Sequence, residues 1–152
     1  MNEHIYPPRL LNIISLFESL SESERREMLI AYADQAKNYE PKEGELFDFE
    51  DLRKDEECTD SVGVYLKKDD HAGLLFKIKL GPHVQTLTRA MSSILCKGLH
   101  GINPEALEII PHDFVSKIVG AELIRVRSQT VYYLLTRMKM ASKAWKRERA
   151  TQ

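Results

Sequence analysis

The stretch Val62-Gly63-Val64-Tyr65-Leu66-Lys67-Lys68-Asp69-Asp70-His71-Ala72-Gly73-Leu74-Leu75-Phe76-Lys77-Ile78-Lys79-Leu80 decides the fold. Its last part alternates: Leu74, Phe76, Ile78 and Leu80 share one face, Lys77 and Lys79 the other. A strand with one buried and one solvated side requires that pattern. Val62–Leu66 is an apolar run of strand character. Between the two, Asp69-Asp70-His71-Ala72-Gly73 is polar and closes on glycine, as a short hairpin loop does. The two runs are predicted to pair as an antiparallel hairpin.

Helical patterns flank the hairpin on both sides. Leu10, Leu11, Ile14 and Phe17 recur at helical spacing after Pro7-Pro8. Ser21 followed by Glu24 is a capping box opening a second helix with Met28, Leu29, Tyr32, Ala36 and Tyr39 inward, stopped by Pro41 and Gly44. The connection through Leu46, Phe47, Phe49 and Leu52 is long, and its aromatics suggest that it packs down. After Gly81-Pro82, a third helix carries Val84, Leu87, Met91, Leu95 and Gly98, which sets Cys96 on the polar face with Arg89 and Ser93 at about 100° per residue. Asn103-Pro104-Glu105 is a helix start. Pro111 and Gly120 bracket a short helix with Phe114, Ile118 and Val119. Ser128 is predicted to cap a terminal helix with Val131, Leu134, Leu135, Met138 and Trp145 inward. The order is that of an α+β domain: a small antiparallel sheet, the hairpin with room for one further strand, with helices packed on one face.

The chain of 152 residues is long enough for one domain, spanning 1–152, and one core. No apolar stretch reaches bilayer length and the N-terminus lacks a basic-then-apolar leader, so no membrane association is expected. Two cysteines, 38 positions apart, argue against a disulfide scaffold and for a reducing cytoplasm. Net charge is −1, yet residues 40–60 hold ten acidic and three basic side chains, and residues 137–149 six basic and one acidic. Such separation suits docking surfaces, while a solvated face is the simpler explanation. Basic residues in a last helical turn also complement the helix dipole. No aromatic platform accompanies them, so no nucleic-acid role is expected.

The chemistry narrows to one residue. The sequence has no C-x-x-C, no H-x-x-x-H and no phosphate-binding glycine loop, and its five histidines are scattered through turns and helix starts. Cys58 ends the acidic stretch just before the hairpin. A loop thiol without a local partner is a candidate nucleophile or sulfur carrier, against the plainer reading of an incidental surface cysteine.

Taken in order, a cysteine before a β-hairpin, a helix after it, Asn103-Pro104-Glu105, and Arg127-Ser128-Gln129 resemble the SufE-like proteins. These are the sulfur-acceptor partners of cysteine desulfurases in iron–sulfur cluster assembly. The resemblance covers residues 10 to 145. The family motif Gly-Cys-x-Ser-x-Val-Trp is matched at Cys58 and Val62, with Glu57, Asp60 and Gly63 at the other positions and Ser61 one residue from the expected serine. The signature Ser-Arg-x-x-Gly-Leu is met by Val126-Arg127-Ser128-Gln129-Thr130-Val131, which keeps the arginine and loses the glycine.

The resemblance implies a fold of the SufE and scaffold-protein type and a divergent member of the family. It implies that Cys58 accepts persulfide sulfur from a pyridoxal-phosphate-dependent cysteine desulfurase, activates that enzyme and passes the sulfur to an iron–sulfur scaffold complex. The chain would act as a sulfur-transfer partner with no cofactor of its own. Arg127 would lie beside the cysteine loop as a counter-charge, and Glu56, Glu57, Thr59, Asp60 and Ser61 would meet the partner. Asp55, Glu56, Glu57 and Asp60 oppose ionisation of the thiol from its usual value of about 8.5. Docking against a basic surface would relieve that. The alternative is a SufE-fold binding or regulatory module that has lost transfer.

Overall fold

The computed structural model describes residues 5–54 and 61–150, excepting the side chains of residues 53, 54, 61 and 121–131. It is an α+β fold with the order α1 (Pro8–Ser19), α2 (Glu22–Asp34), a 3-10 turn (Ala36–Tyr39), β1 (Phe49–Lys54), β2 (Ser61–Lys68), β3 (Leu74–Leu80), α3 (Thr86–Gly98), α4 (Pro104–Glu108), a 3-10 turn (His112–Phe114), α5 (Val115–Val119) and α6 (Ala121–Ala150). The sheet is an antiparallel meander, β1-β2-β3. Phe49 faces Leu66 and Lys54 faces Ser61 across β1–β2, and Val62 faces Leu80 across β2–β3.

The alternation that predicted β3 is realised: Leu74, Phe76, Ile78 and Leu80 are buried, together with Val62, Val64 and Leu66 of β2. Helices α3 and α6 pack on this face, bringing Met91, Ile94, Leu95, Leu134, Leu135 and Met138 against it. On the other face Lys79 and Leu52 are exposed. Two of the three sequence-read caps form, at Ser21 and Asn103. The Ser21 hydroxyl accepts from the Glu24 N–H while the Glu24 carboxylate accepts from the Ser21 N–H. The Asn103 side-chain Oδ1 accepts from the Ala106 N–H at 2.8 Å.

The hairpin turn is closed by Asp69. Its Oδ1 accepts from the backbone N–H of His71 at 2.8 Å and of Gly73 at 2.7 Å, and these bonds hold its carboxyl below the usual carboxylate range. Ala72, not Gly73, takes the left-handed backbone, with φ 65°. A Cβ crowds that conformation. Ala72→Gly is expected to stabilise the fold by about 0.5–1 kcal/mol, visible as a higher urea midpoint at unchanged m-value.

Three sequence expectations change. Cys96 lies in the core, not on a polar face, because α3 is enclosed nearly all round. Residues Thr88, Ser92, Ser93 and Cys96 are buried as well as the apolar stripe. Helix α2 covers that side, where the Ser93 hydroxyl donates to the Tyr32 carbonyl at 2.7 Å. Second, Ser128 is not a cap. Gly120, at φ 86°, ends α5, and α6 starts directly after it at Ala121. Arg127 therefore belongs to the helix and not to its approach. Third, α3 begins at Thr86, which leaves Val84 before the helix. Among the described residues, no helix is long and apolar enough to cross a membrane.

Candidate functional site

Cys58, Glu56, Glu57, Thr59 and Asp60 lie outside the described residues. Ser61 and Arg127 are described in backbone only, Ser61 opening β2 and Arg127 in the early turns of α6. What is described is the frame around the connection 55–60. β1 and β2 remain paired up to Lys54 and Ser61, so Cys58 belongs to the link between two paired strands. The strand before it, β1, was allowed for in the sequence reading but not located.

One residue holds that frame, and the sequence reading passed over it. Arg137 of α6 is only 2% exposed. Its Nη2 donates to the carbonyl of Asp51 on β1 at 3.0 Å and to the carbonyl of Val62 on β2 at 2.9 Å. Its Nη1 donates to the Tyr133 hydroxyl at 2.8 Å, and the Tyr133 ring stands 5.5 Å from the guanidinium carbon. Nε lies 3.5 Å from the Asp51 carboxylate, beyond hydrogen-bond geometry. Only a planar fork of donors can meet acceptors on two strands and a neighbouring helical turn together. The signal was legible. Position 137 is three residues after Leu134 and four before Ala141, on the inward stripe, so a cation there had to be buried and paired.

Much of the charge asymmetry also has internal partners. In the acidic segment, Glu45 pairs with Lys67 at 2.9 Å, Asp48 accepts from the Lys68 backbone N–H at 2.8 Å, and Asp51 meets Arg137. In the basic segment, Lys146 lies between Glu105 and Glu108 at 3.5 and 3.4 Å, Arg149 stacks 4.7 Å over Trp145, and Arg137 is buried. Glu43 and Glu50 of the acidic run are exposed.

Other chemistry is sparse. Among the described residues, no three His, Cys, Asp or Glu side chains gather as a metal site would require. His112 packs edge-on to Tyr132 at 5.3 Å, with Nε2 3.3 Å from the Thr136 hydroxyl. Burial and the neighbouring Lys139 hold its pKa below the usual histidine value. A shallow depression lined by Asp48, Lys68, Trp145, Glu148 and Arg149 sits at the other end of the β1–β2 pair. The Cys96 thiol is 4% exposed, and burial pushes its pKa from 9.0 to about 12. It is a packed apolar group.

No family model matches the chain, and no curated protein matches it. A solved structure does: the solution structure of a hypothetical protein from Thermus thermophilus superimposes with a TM-score of 0.68 at 24% identity, over 92% of this chain and 97% of that one. At that identity the likeness extends to the fold and to nothing finer.

Proposed function

We propose that this chain is a sulfur acceptor and carrier. Cys58 takes the terminal sulfur of a persulfide on a pyridoxal-phosphate-dependent cysteine desulfurase, and the chain hands it to an iron–sulfur scaffold complex and stimulates the desulfurase. The same reading places it in the cytoplasm beside those partners. The observation that carries the proposal is the division between the two thiols. Cys96 is sealed in the core with its proton held, which leaves any thiol chemistry to Cys58, in the link between two strands held by a buried arginine. The resemblance of the ordered motifs to SufE-like proteins supports it independently.

The transfer balances without an added oxidant. The Cys58 thiol gives its proton to solvent, and the thiolate attacks the outer sulfur of the desulfurase Cys–S–SH. A new S–S bond forms, the old one breaks, and the desulfurase cysteine leaves as a thiolate that regains a proton. Sulfane sulfur keeps its oxidation level throughout.

The test is intact mass after incubation with desulfurase and free cysteine. A gain of about 32 Da, mapped to Cys58 and lost on treatment with a reducing thiol, is expected. No gain from a protein that still binds the desulfurase would instead indicate a binding or regulatory module on the same fold.

A further inference from the structure

We infer that β1 pairs with β1 of a second copy of this chain, joining two three-stranded sheets into one continuous sheet about a two-fold axis at Leu52. This is independent of the sulfur-carrier reading. β1 lies at the edge of the sheet and pairs with β2 on one side; among the described residues no strand runs along its other side. An edge strand keeps a row of unpaired N–H and C=O groups there, a template for a further strand. β1 has no proline or glycine to blunt that edge, and its Leu52 side chain is 62% exposed.

The sequence of the strand specifies what covers it. Glu50-Asp51-Leu52-Arg53-Lys54 is a charge palindrome, two acids and two bases around one leucine. Run antiparallel to itself with Leu52 opposite Leu52, the strand sets Glu50 opposite Lys54 and Asp51 opposite Arg53. Every charge then faces its opposite, which favours pairing, whereas like charges directly across a ladder oppose it. Parallel pairing in register sets like against like at all four positions. Sliding the antiparallel register by two residues sets Asp51 opposite Asp51 or Arg53 opposite Arg53. A slip of one residue turns the core face of one sheet to the solvent side of the other. Charge and face together therefore select a single register. In it Glu50 and Leu52 of both copies fall on the open face, and α3 and α6 of both copies on the other. Each contact occurs twice, as a two-fold interface requires. The seam is short, so the dimer is weak and depends on concentration.

The experiment is sedimentation equilibrium of the full chain over a concentration series. It compares wild type, Glu50→Lys, Lys54→Glu, the double exchange Glu50→Lys with Lys54→Glu, and an equimolar mixture of the two single variants. Glu50 is exposed, and the double exchange leaves the net charge at −1. Wild type is expected to dimerise. Each single variant sets like charges opposite one another at both copies of the pair and is expected to weaken the dimer about tenfold or more. The double exchange reverses the palindrome and is expected to restore dimerisation, and the mixed single variants are expected to form heterodimers. A wild-type chain that stays monomeric at the highest concentration overturns the inference. So does a dimer of equal strength in every variant, or one that neither the double exchange nor the mixture restores. If one single variant does not fold, the other against the double exchange carries the same comparison.

Discussion

Cys58→Ser is expected to take up no sulfur, whereas Cys96→Ser takes it up at the wild-type rate per folded molecule. An alcohol in place of the carrier thiol cannot form a persulfide, so the loss is complete, not graded. The Cys96 variant behaves differently because its thiol is buried on α3 with its pKa pushed up to about 12, leaving almost no thiolate near neutral pH. Its cost is in stability, about 1 kcal/mol for burying a hydroxyl in place of a weakly polar thiol. The same shift gives a pH signature. A thiol with a folded pKa above its unfolded 9.0 keeps a proton that the unfolded chain loses, so its contribution to stability is complete below 9 and declines as pH rises toward 12. Cys96→Ser removes that share of the alkaline slope, and urea midpoints at pH 7 and pH 10 measure it. Loss of sulfur uptake in both variants would indicate a two-thiol mechanism and reject the single carrier.

Why the hairpin was legible and β1 was not is a matter of which side chains face inward. β3 presents four apolar residues to the core in strict alternation, and its turn is built from residues that bond their own backbone. In β1 the pattern breaks after Phe49, which packs on the core. The inward residue Asp51 is charged because Arg137 receives it, and the outward residue Leu52 is apolar and 62% exposed. That strand exists because β2 offers it a ladder, and no local periodicity records the fact. The terminal helix was misjudged by the same kind of local evidence. Ser128 is a good cap residue, but Gly120 had already ended α5, and nothing between Ala121 and Arg127 prevents a helix from starting earlier. Cys96 was placed on a solvated face because an amphipathic helix was assumed. A central helix covered on several sides uses small residues, Ser92, Ser93 and Cys96, to admit its neighbours. For the site, the sequence pointed to Cys58 and Arg127; the burial of Arg137 was legible from its place on the inward stripe, but its partners on β1 and β2 emerged only with the packing.

Gly73→Ala is expected to be among the most damaging single methyl additions in the chain, lowering stability by about 3 kcal/mol and the melting temperature by roughly 10 °C. The sequence reads Gly73 as the glycine that closes the hairpin loop, but Ala72 holds the positive φ. Gly73 is glycine because the chain passes against Gly101. A Cβ there would run into the Gly101 carbonyl oxygen and lie 2.8 Å from the Asp69 carboxylate. Neither neighbour can yield cheaply. The Gly101 backbone is locked to the adjacent strand residue, with the Gly101 N–H donating to the Leu74 carbonyl at 2.9 Å and the Leu74 N–H to the Ile102 carbonyl at 2.7 Å. Asp69 is held by the two backbone bonds that close the turn. Relief must therefore break a bridge between β3 and the segment after α3, or open the hairpin, each at about 1 kcal/mol per lost bond in addition to the overpacking itself. A double variant, Ala72→Gly with Gly73→Ala, separates the two explanations. If the glycine served the turn's backbone angle, moving it by one residue to the position that has the positive φ would restore or raise stability. Close packing against Gly101 predicts that the double variant remains well below wild type in thermal and urea unfolding, recovering only what Ala72→Gly contributes alone.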